Sequence, residues 1–172
     1  MNSEQIDLGQ WRLTFSEPEA DFIINTLARM GKHYQEDIAH MSPALRAYWQ
    51  GTLSRDAAGS EHLRESQEVL SEARNELRSE RLDLVESWIR EYELAEERDP
   101  WQVVLSGAER DEFVAMINDR RMLLAHDLGI TEADMEADLA RIADESRRAA
   151  VLEIDVLGHF ILVVLGPQIY RP

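Results

Sequence analysis

The residues of this chain that could do chemistry are carboxylates, histidines and arginines set into helical stretches. The chain contains no cysteine, which excludes disulfides, thiolate zinc sites and cysteine nucleophiles. Its sequence also has no nucleophile elbow, phosphate-binding loop or dinucleotide-binding glycine pattern. Any catalytic or metal chemistry must therefore use histidine, carboxylate and arginine side chains.

One group of interest lies on the helix predicted over residues 106–128. Counting about 100° per residue, Arg121 falls inside the apolar flank of this helix. Asn118 lies at the margin of that flank, whereas Asp119 and His126 are predicted to point towards solvent. The helix therefore offers a cation at an apolar surface.

The last helix offers a carboxylate to match it. Residues 149–165 are the most apolar stretch of the chain, yet they include Asp155. A buried carboxylate needs a cation or several donors, so we predict a lock between Arg121 and Asp155, with Asn118 as a third member. Gly158 removes a side chain beside Asp155 and allows a close approach of helices. The alternative is that the group lines a binding or catalytic pocket.

A second group consists of His33, Asp37 and His40. At positions i, i+4 and i+7 they share one side of the first predicted helix. Three such ligands could hold zinc or a similar ion, with Asp155 or His159 completing the shell. The alternative is an ordinary solvated helix, and we assign no metal and no cofactor to the chain.

A leucine repeat marks the long helix predicted over residues 61–97. Leu63, Leu70, Leu77 and Leu84 recur every seven residues and form a narrow apolar seam. The seam is predicted to bind a protein partner, including a second copy in a homodimer. The alternative is packing against residues 44–53 of the same chain.

Composition restricts the remaining function classes. The chain has 172 residues and a formal net charge of -16, which favours solubility and opposes binding to nucleic acid or to anionic membranes. The N-terminus has no secretory signal pattern, and the C-terminal apolar run is too short and too polar for a membrane span. We therefore expect a cytoplasmic protein with one domain over residues 1–172 and a flexible loop at 51–60.

Hydrophobic periodicity predicts an all-α fold. Serine and proline pairs start the first two helices at residues 16–18 and 42–43, and capping boxes begin helices at Ser16 and Ser106. Two short stretches, 11–15 and 101–105, could form one β-pair. The expected architecture is a bundle of about five or six helices around a central apolar C-terminal helix.

Several short motifs resemble an uncharacterised actinobacterial family. They are Asn118-Asp119-Arg120-Arg121 followed by Leu128-Gly129-Ile130, the later Asp155-Val156-Leu157-Gly158, and the extended stretch leading to a Pro/Glu-rich helix start over 13–20. Members of this family are small helical proteins often encoded beside the Clp protease adaptor ClpS. The resemblance implies a bacterial cytoplasmic helical domain linked to regulated proteolysis.

These observations favour a non-enzymatic protein-interaction or regulatory domain. The alternative is a metal-binding or enzymatic bundle that uses either His33/Asp37/His40 or the Asn118/Arg121/Asp155 group.

Overall fold

A computed structural model describes residues 1–50, 61–96 and 99–166. The predicted loop at 51–60 lies outside the described residues. The strands are β1 (Asn2–Asp7), β2 (Gln10–Phe15) and β3 (Trp101–Ser106). The helices are α1 (Glu17–Gln35), α2 (Pro43–Gln50), α3 (Glu61–Leu94), α4 (Gly107–Asp127), α5 (Glu132–Glu136) and α6 (Glu145–Leu165), with short 3₁₀ turns at Ile38–His40 and Leu139–Arg141.

The predicted β-pair is confirmed and belongs to a larger sheet. β2 pairs antiparallel with β3, so that Trp11 is opposite Leu105 and Phe15 opposite Trp101. β1 adds a third strand on the other side of β2. The described chain is mostly helical, but the all-α prediction is only partly right because it allowed for one pair and not for a three-stranded sheet.

Local sequence signals start and end several helices as predicted. The Ser16 amide donates to the Glu19 carboxylate at 2.9 Å, and the Ser106 amide donates to Glu109 at 2.7 Å, which completes both capping boxes. At the end of α4, Gly129 has a φ of 57° and Ile130 donates its amide to the Ala125 carbonyl at 2.8 Å. This is the 6→1 bond of a Schellman ending, which requires a left-handed residue.

The core lies where α1, α3 and α4 meet one face of the sheet. α1 packs along α3 and also contacts α4. At the sheet, Phe15 stacks on Trp101 with ring centroids 5.3 Å apart and contacts Phe113 and Phe160 edge-on or tilted. Alternate residues of β2 and β3 face this cluster, because side chains of a strand point to opposite faces.

The prediction that the apolar C-terminal helix runs through the centre of the fold is wrong. α6 packs mainly on α4, with a smaller contact to β1. Its inner side buries Ile154, Leu157 and Val164, whereas Leu152 and Leu162 remain 50% and 64% exposed. The helix thus lies at the edge of the bundle with a wetted outer side. In the described part of the chain no helix combines the length and apolarity needed to cross a membrane.

α1 and α5 both end at a turn that begins with an aspartate. α1 ends at Gln35, although the sequence predicts a first helix that includes Asp37 and His40, and α5 ends at Glu136. In both places an aspartate follows, Asp37 or Asp138, whose carboxylate accepts the amide of the residue two positions on. This local bond starts a 3₁₀ turn in place of a further turn of α-helix.

Candidate functional site

The most buried carboxylate of the described chain is Asp119, in the middle of α4. The residue is 3% exposed, and its carboxylate accepts three hydrogen bonds. Oδ2 accepts from the Tyr34 hydroxyl at 3.0 Å and from Arg81 Nη1 at 2.6 Å, and Oδ1 accepts from the Tyr48 hydroxyl at 2.7 Å. A buried carboxylate with a cation and two hydroxyl donors is satisfied in both charge and hydrogen bonding.

This carboxylate joins four helices. Tyr34 belongs to α1, Tyr48 to α2, Arg81 to α3 and Asp119 to α4. Arg81 also donates its Nε–H to the carboxylate of Glu112 at 2.7 Å, and Glu112 lies two turns before Asp119 on α4. We call Tyr34, Tyr48, Arg81, Glu112 and Asp119 the Asp119 network. Because each helix contributes one or two members, the network sets the relative positions of all four.

The electrostatics of the network hold both tyrosines neutral. Burial raises the pKa of Tyr48 to about 12, and its hydrogen bond to Asp119 acts in the same direction. Burial and the charge of Asp119 raise the pKa of Tyr34 well above its ordinary value. Burial alone would lower the pKa of Arg81, but the Asp119 charge and the Glu112 contacts outweigh it and raise that pKa. The hydrogen-bond donors of Tyr34, Tyr48 and Arg81 are therefore already bonded to Asp119. The network serves to position the four helices.

A second arginine of α3 closes the end of α1. Arg78 Nη2 lies 3.1 Å, 2.9 Å and 2.5 Å from the carbonyl oxygens of His33, Tyr34 and Glu36. The last carbonyls of a helix have no partner inside the helix and carry its negative dipole end, so a guanidinium there is favourable. The same guanidinium lies 5.4 Å from the ring centroid of Trp49, in cation–π geometry.

Trp49 links this helix end to α2. Its indole Nε1–H donates to His33 Nε2 at 3.0 Å, which requires an unprotonated acceptor nitrogen. Burial lowers the pKa of His33, and the nearby Arg78 acts in the same direction although Glu36 opposes it. His33 is thus held neutral in the folded protein and serves as an acceptor for Trp49.

An apolar pocket opens between α2 and α4, beside the Asp119 network. It has a volume of about 140 Å³. Its lining comprises Leu45, Tyr48, Trp49, Asp119, Met122, Leu123 and His126. Tyr48 and Met122 are 42% and 53% exposed, whereas Trp49 and Leu123 are buried. The pocket therefore has a partly exposed rim over apolar walls that the network holds in place.

The first sequence-predicted group is brought together only in part. Arg121 donates its Nε to the Ile154 carbonyl at 3.2 Å and Nη1 to Asn118 at 3.5 Å. The Arg121 guanidinium also lies against Gly158. Arg121, Gly158 and Asp155 all line one surface groove beside α6. Asp155 is exposed there and forms no ion pair with Arg121. The buried Arg121–Asp155 lock is therefore not formed, because α6 turns Asp155 outwards, and a pocket role for the group stays a prediction.

The proposed metal ligands do not share a helix. α1 ends between His33 and Asp37, and Asp37 instead caps the turn that contains His40. His33 is packed on Trp49, whereas His40 faces solvent and approaches Asp37 at 3.6 Å. No cluster of three or more His, Cys, Asp or Glu side chains suited to a metal occurs in residues 1–50, 61–96 and 99–166. The prediction that the three residues share one side of a helix is therefore wrong, and metal binding by this triplet stays an untested alternative.

The leucine seam is only partly described. The side chain of Leu63 lies outside the described part of the structure, and Leu70, Leu77 and Leu84 are half-buried. α2 packs on α3, where Arg74 lies 5.9 Å from the Tyr48 ring centroid. Leu84 packs against the main core. Partner binding by the seam stays a prediction.

Sequence reasoning missed the Asp119 network, and it placed Asp119 towards solvent. α4 packs on α6 and on α1, and side chains of α3 also reach it through the Arg81–Asp119 and Trp88–Phe113 contacts. A helix buried on two sides does not show one apolar stripe. A usable signal was present: Asp119 is spaced i+3 from Met116 and i-4 from Leu123, both buried. Likewise Arg78 and Arg81 continue the spacing of the buried Val85 and Trp88 along α3.

These features define a mostly helical protein with a three-stranded sheet formed by the two N-terminal strands and residues 101–106. One buried carboxylate joins four helices beside an apolar pocket. The chain belongs to the family described as "Domain of unknown function (DUF2017)", whose family model matches residues 6–161. The predicted membership in an uncharacterised family is thus confirmed. No curated protein and no solved structure matches the chain.

Proposed function

We propose that this protein is a non-enzymatic interaction domain, and that the pocket between α2 and α4 receives one apolar side chain of a partner protein. The single observation that carries the proposal is the pocket itself: apolar walls, an aromatic and methionine rim, and a volume of about 140 Å³. A cavity of about 150 Å³ holds a benzene ring. The pocket is therefore matched to one leucine, methionine or phenylalanine side chain.

The composition of the pocket supports a protein partner. Tyrosine, tryptophan and methionine are enriched where proteins bind one another, and the strongest contacts are apolar or aromatic anchors seated in pockets. Tyr48, Trp49 and Met122 supply these residue types here. Asp119 also lines the pocket, but its oxygens already accept from Tyr34, Tyr48 and Arg81. It therefore does not require a cationic occupant.

Charge favours a partner whose anchor is flanked by basic residues. The chain has a formal net charge of -16, so it attracts cationic segments over long range and repels acidic ones. We propose an apolar side chain within a lysine- or arginine-rich segment. The resemblance to proteins encoded beside the Clp adaptor ClpS supports regulated proteolysis in a bacterial cytoplasm as the setting of this interaction.

The test uses capped peptides of the form Lys-Lys-X-Lys-Lys, with leucine, methionine or phenylalanine at X and serine as the control. Amide shifts in two-dimensional NMR should move for residues 45–49 and 122–126 with the apolar peptides and not with the serine peptide. Such movement at the pocket supports the proposal. Shifts spread over the acidic surface, equal for all four peptides, would contradict it.

A matched pair of variants sharpens the test. Met122 and Met135 are both exposed methionines, at 53% and 37%, but only Met122 lines the pocket. Met122→Asn should weaken binding of the apolar peptides at least about fivefold, which corresponds to about 1 kcal/mol. Met135→Asn should leave it unchanged. Equal affinities for both variants would overturn the pocket assignment.

A further inference from the structure

The outer side of α6 carries a regular pattern of exposed residues. Arg148, Leu152, Asp155, His159 and Leu162 are separated by four, three, four and three positions and are all exposed. We call these five residues the α6 outer face. This spacing is the a/d pattern by which one helix packs along another. The opposite side of α6 buries Ile154, Leu157 and Val164 against the fold, so the outer face is unused within the described chain.

The apolar members of this face are unusual for a protein surface. Leu152 and Leu162 are 50% and 64% exposed, and they lie three turns apart on one line. Single exposed leucines need no explanation. Two of them at helix-packing spacing, on a helix whose mean hydropathy suits an interior, indicate a surface that another helix covers.

Two polar members of this face, Asp155 and His159, have exposed side chains. Neither the carboxylate nor the imidazole ring forms an ion pair with any described residue. The nearby acidic side chain Glu153 is instead occupied by Arg29 and Arg120. The outer face therefore presents one carboxylate and one imidazole between its two leucines.

The pattern is complementary to itself. In an antiparallel pair of α6 helices whose twofold axis passes level with Leu157, Leu152 is opposite the partner's Leu162. In the same register, Asp155 is opposite the partner's His159, and both contacts occur twice. A twofold interface requires such reciprocity, because residue i then contacts residue j and residue j contacts residue i.

The ends of the helix fit the same register. Arg148 is placed opposite the partner's Gly166, which is the C-cap of α6. A cation beside a helix C-terminus is favourable because the last carbonyls carry partial negative charge. We propose that the α6 outer face is a self-association surface through which two copies of this chain pair antiparallel in this register.

The association is expected to be weak. One helix face per copy buries less area than the roughly 1,600 Å² of a standard stable interface. Two copies that each carry a net charge of -16 also repel one another. We therefore expect a reversible dimer at micromolar or higher concentration.

Sedimentation equilibrium of the full chain, at about 5 to 500 µM and about 0.3 M salt to screen repulsion, should show a monomer–dimer equilibrium. Leu162→Glu should weaken dimerisation at least about tenfold, about 1.4 kcal/mol. The matched control is Leu94→Glu, which adds the same charge at a leucine that is 75% exposed on α3. A chain that stays monomeric throughout, or one whose dimer tolerates Leu162→Glu, would overturn the proposal.

Register is tested by charge exchange and by cross-linking. Asp155→His and His159→Asp should each weaken the dimer, and the double exchange should restore it, because the reciprocal contact is re-formed.

As the chain has no cysteine, a mixture of Leu152→Cys and Leu162→Cys chains should form mixed disulfides faster than either variant with itself. Failure of rescue, or equal cross-linking in all mixtures, would contradict the antiparallel register. None of these measurements depends on the pocket between α2 and α4. The outcome of the dimer experiments is therefore independent of the outcome of the peptide-binding experiments.

Discussion

Arg81 and Asp119 meet inside the protein, with Nη1 of the guanidinium 2.6 Å from Oδ2 of the carboxylate. The two residues are 7% and 3% exposed and lie on neighbouring helices, α3 and α4. Taking such charges out of water costs several kcal/mol per ion, which their attraction offsets only while both are present. Loss of either partner would leave the other charge buried and unpaired, so the pair favours the helix arrangement in which both are present.

Removing the carboxylate should be strongly destabilising. Asp119→Ala leaves Arg81 with only Glu112 and leaves both tyrosine hydroxyls without an acceptor. The expected loss in the free energy of unfolding is about 3–5 kcal/mol. Urea denaturation followed by far-ultraviolet circular dichroism measures it. A loss below about 1 kcal/mol would show that the network does not hold the helices together.

The matched control removes both charges at once. Arg81→Met combined with Asp119→Leu should cost less than the sum of the two single changes, because neither charge is then left unpaired. Tyr48→Phe, which removes one donor from a partly exposed ring, should cost about 1 kcal/mol.

Arg78 should determine where α1 ends. Arg78→Met removes the donor to the carbonyls of His33, Tyr34 and Glu36 and should cost about 2 kcal/mol. Hydrogen exchange at the last turn of α1 should accelerate more than exchange in α4. Arg90→Met, an exposed arginine on the same helix, is the control and should change neither quantity by a measurable amount.

The β-pair and the helix caps could be predicted from sequence because their determinants are local. Alternation in residues 11–15 and 101–105 predicts paired strands, and Ser16 with Glu19 is a complete capping box within four residues. The C-cap of α1 was missed for the opposite reason. The donor that closes it, Arg78, is more than forty positions away in the chain, and no local pattern reports such a contact.

The position of α6 shows a second limit. Hydropathy measures how well a helix tolerates burial, but it does not say which helix becomes buried on all sides. α4 contains Asp119, Arg120 and Arg121 and yet lies between other helices, whereas the more apolar α6 lies at the edge. Polar residues can enter the interior when partners from several helices meet there, so predicting the Asp119 network required the tertiary arrangement first.

Two helical glycines should respond oppositely to alanine. A Cβ at Gly158 would lie 3.5 Å from Arg121 Nη2, which is ordinary contact, so Gly158→Ala should gain up to about 1 kcal/mol from helix propensity. A Cβ at Gly31 would lie 3.2 Å from Val85 Cγ1, where α1 and α3 pack closely. Gly31→Ala should be neutral or destabilising, because overpacking offsets the propensity gain.

Thermal unfolding distinguishes the two glycine variants. For a chain of this size 1 kcal/mol moves the Tm by about 2–4 °C. A rise of the Tm for Gly158→Ala together with no rise for Gly31→Ala is the expected result. A clear rise for both would show that α1 and α3 are not packed as closely as the contact between Gly31 and Val85 indicates.

His33 should give the protein a loss of stability on mild acidification. Burial lowers its pKa below the usual value of 6.5, so as the pH falls the unfolded chain binds a proton before the folded one does. The stability that neutral His33 contributes is therefore complete above about pH 6.5 and is lost below it, by at most about 1.4 kcal/mol per pH unit.

His33→Gln keeps an acceptor for the Trp49 indole but cannot titrate. Urea midpoints of the wild type and this variant should diverge as the pH falls below about 6.5, whereas His40→Gln, at an exposed histidine, should follow the wild type. Parallel curves for wild type and His33→Gln would mean that the Trp49–His33 hydrogen bond does not depend on a neutral imidazole.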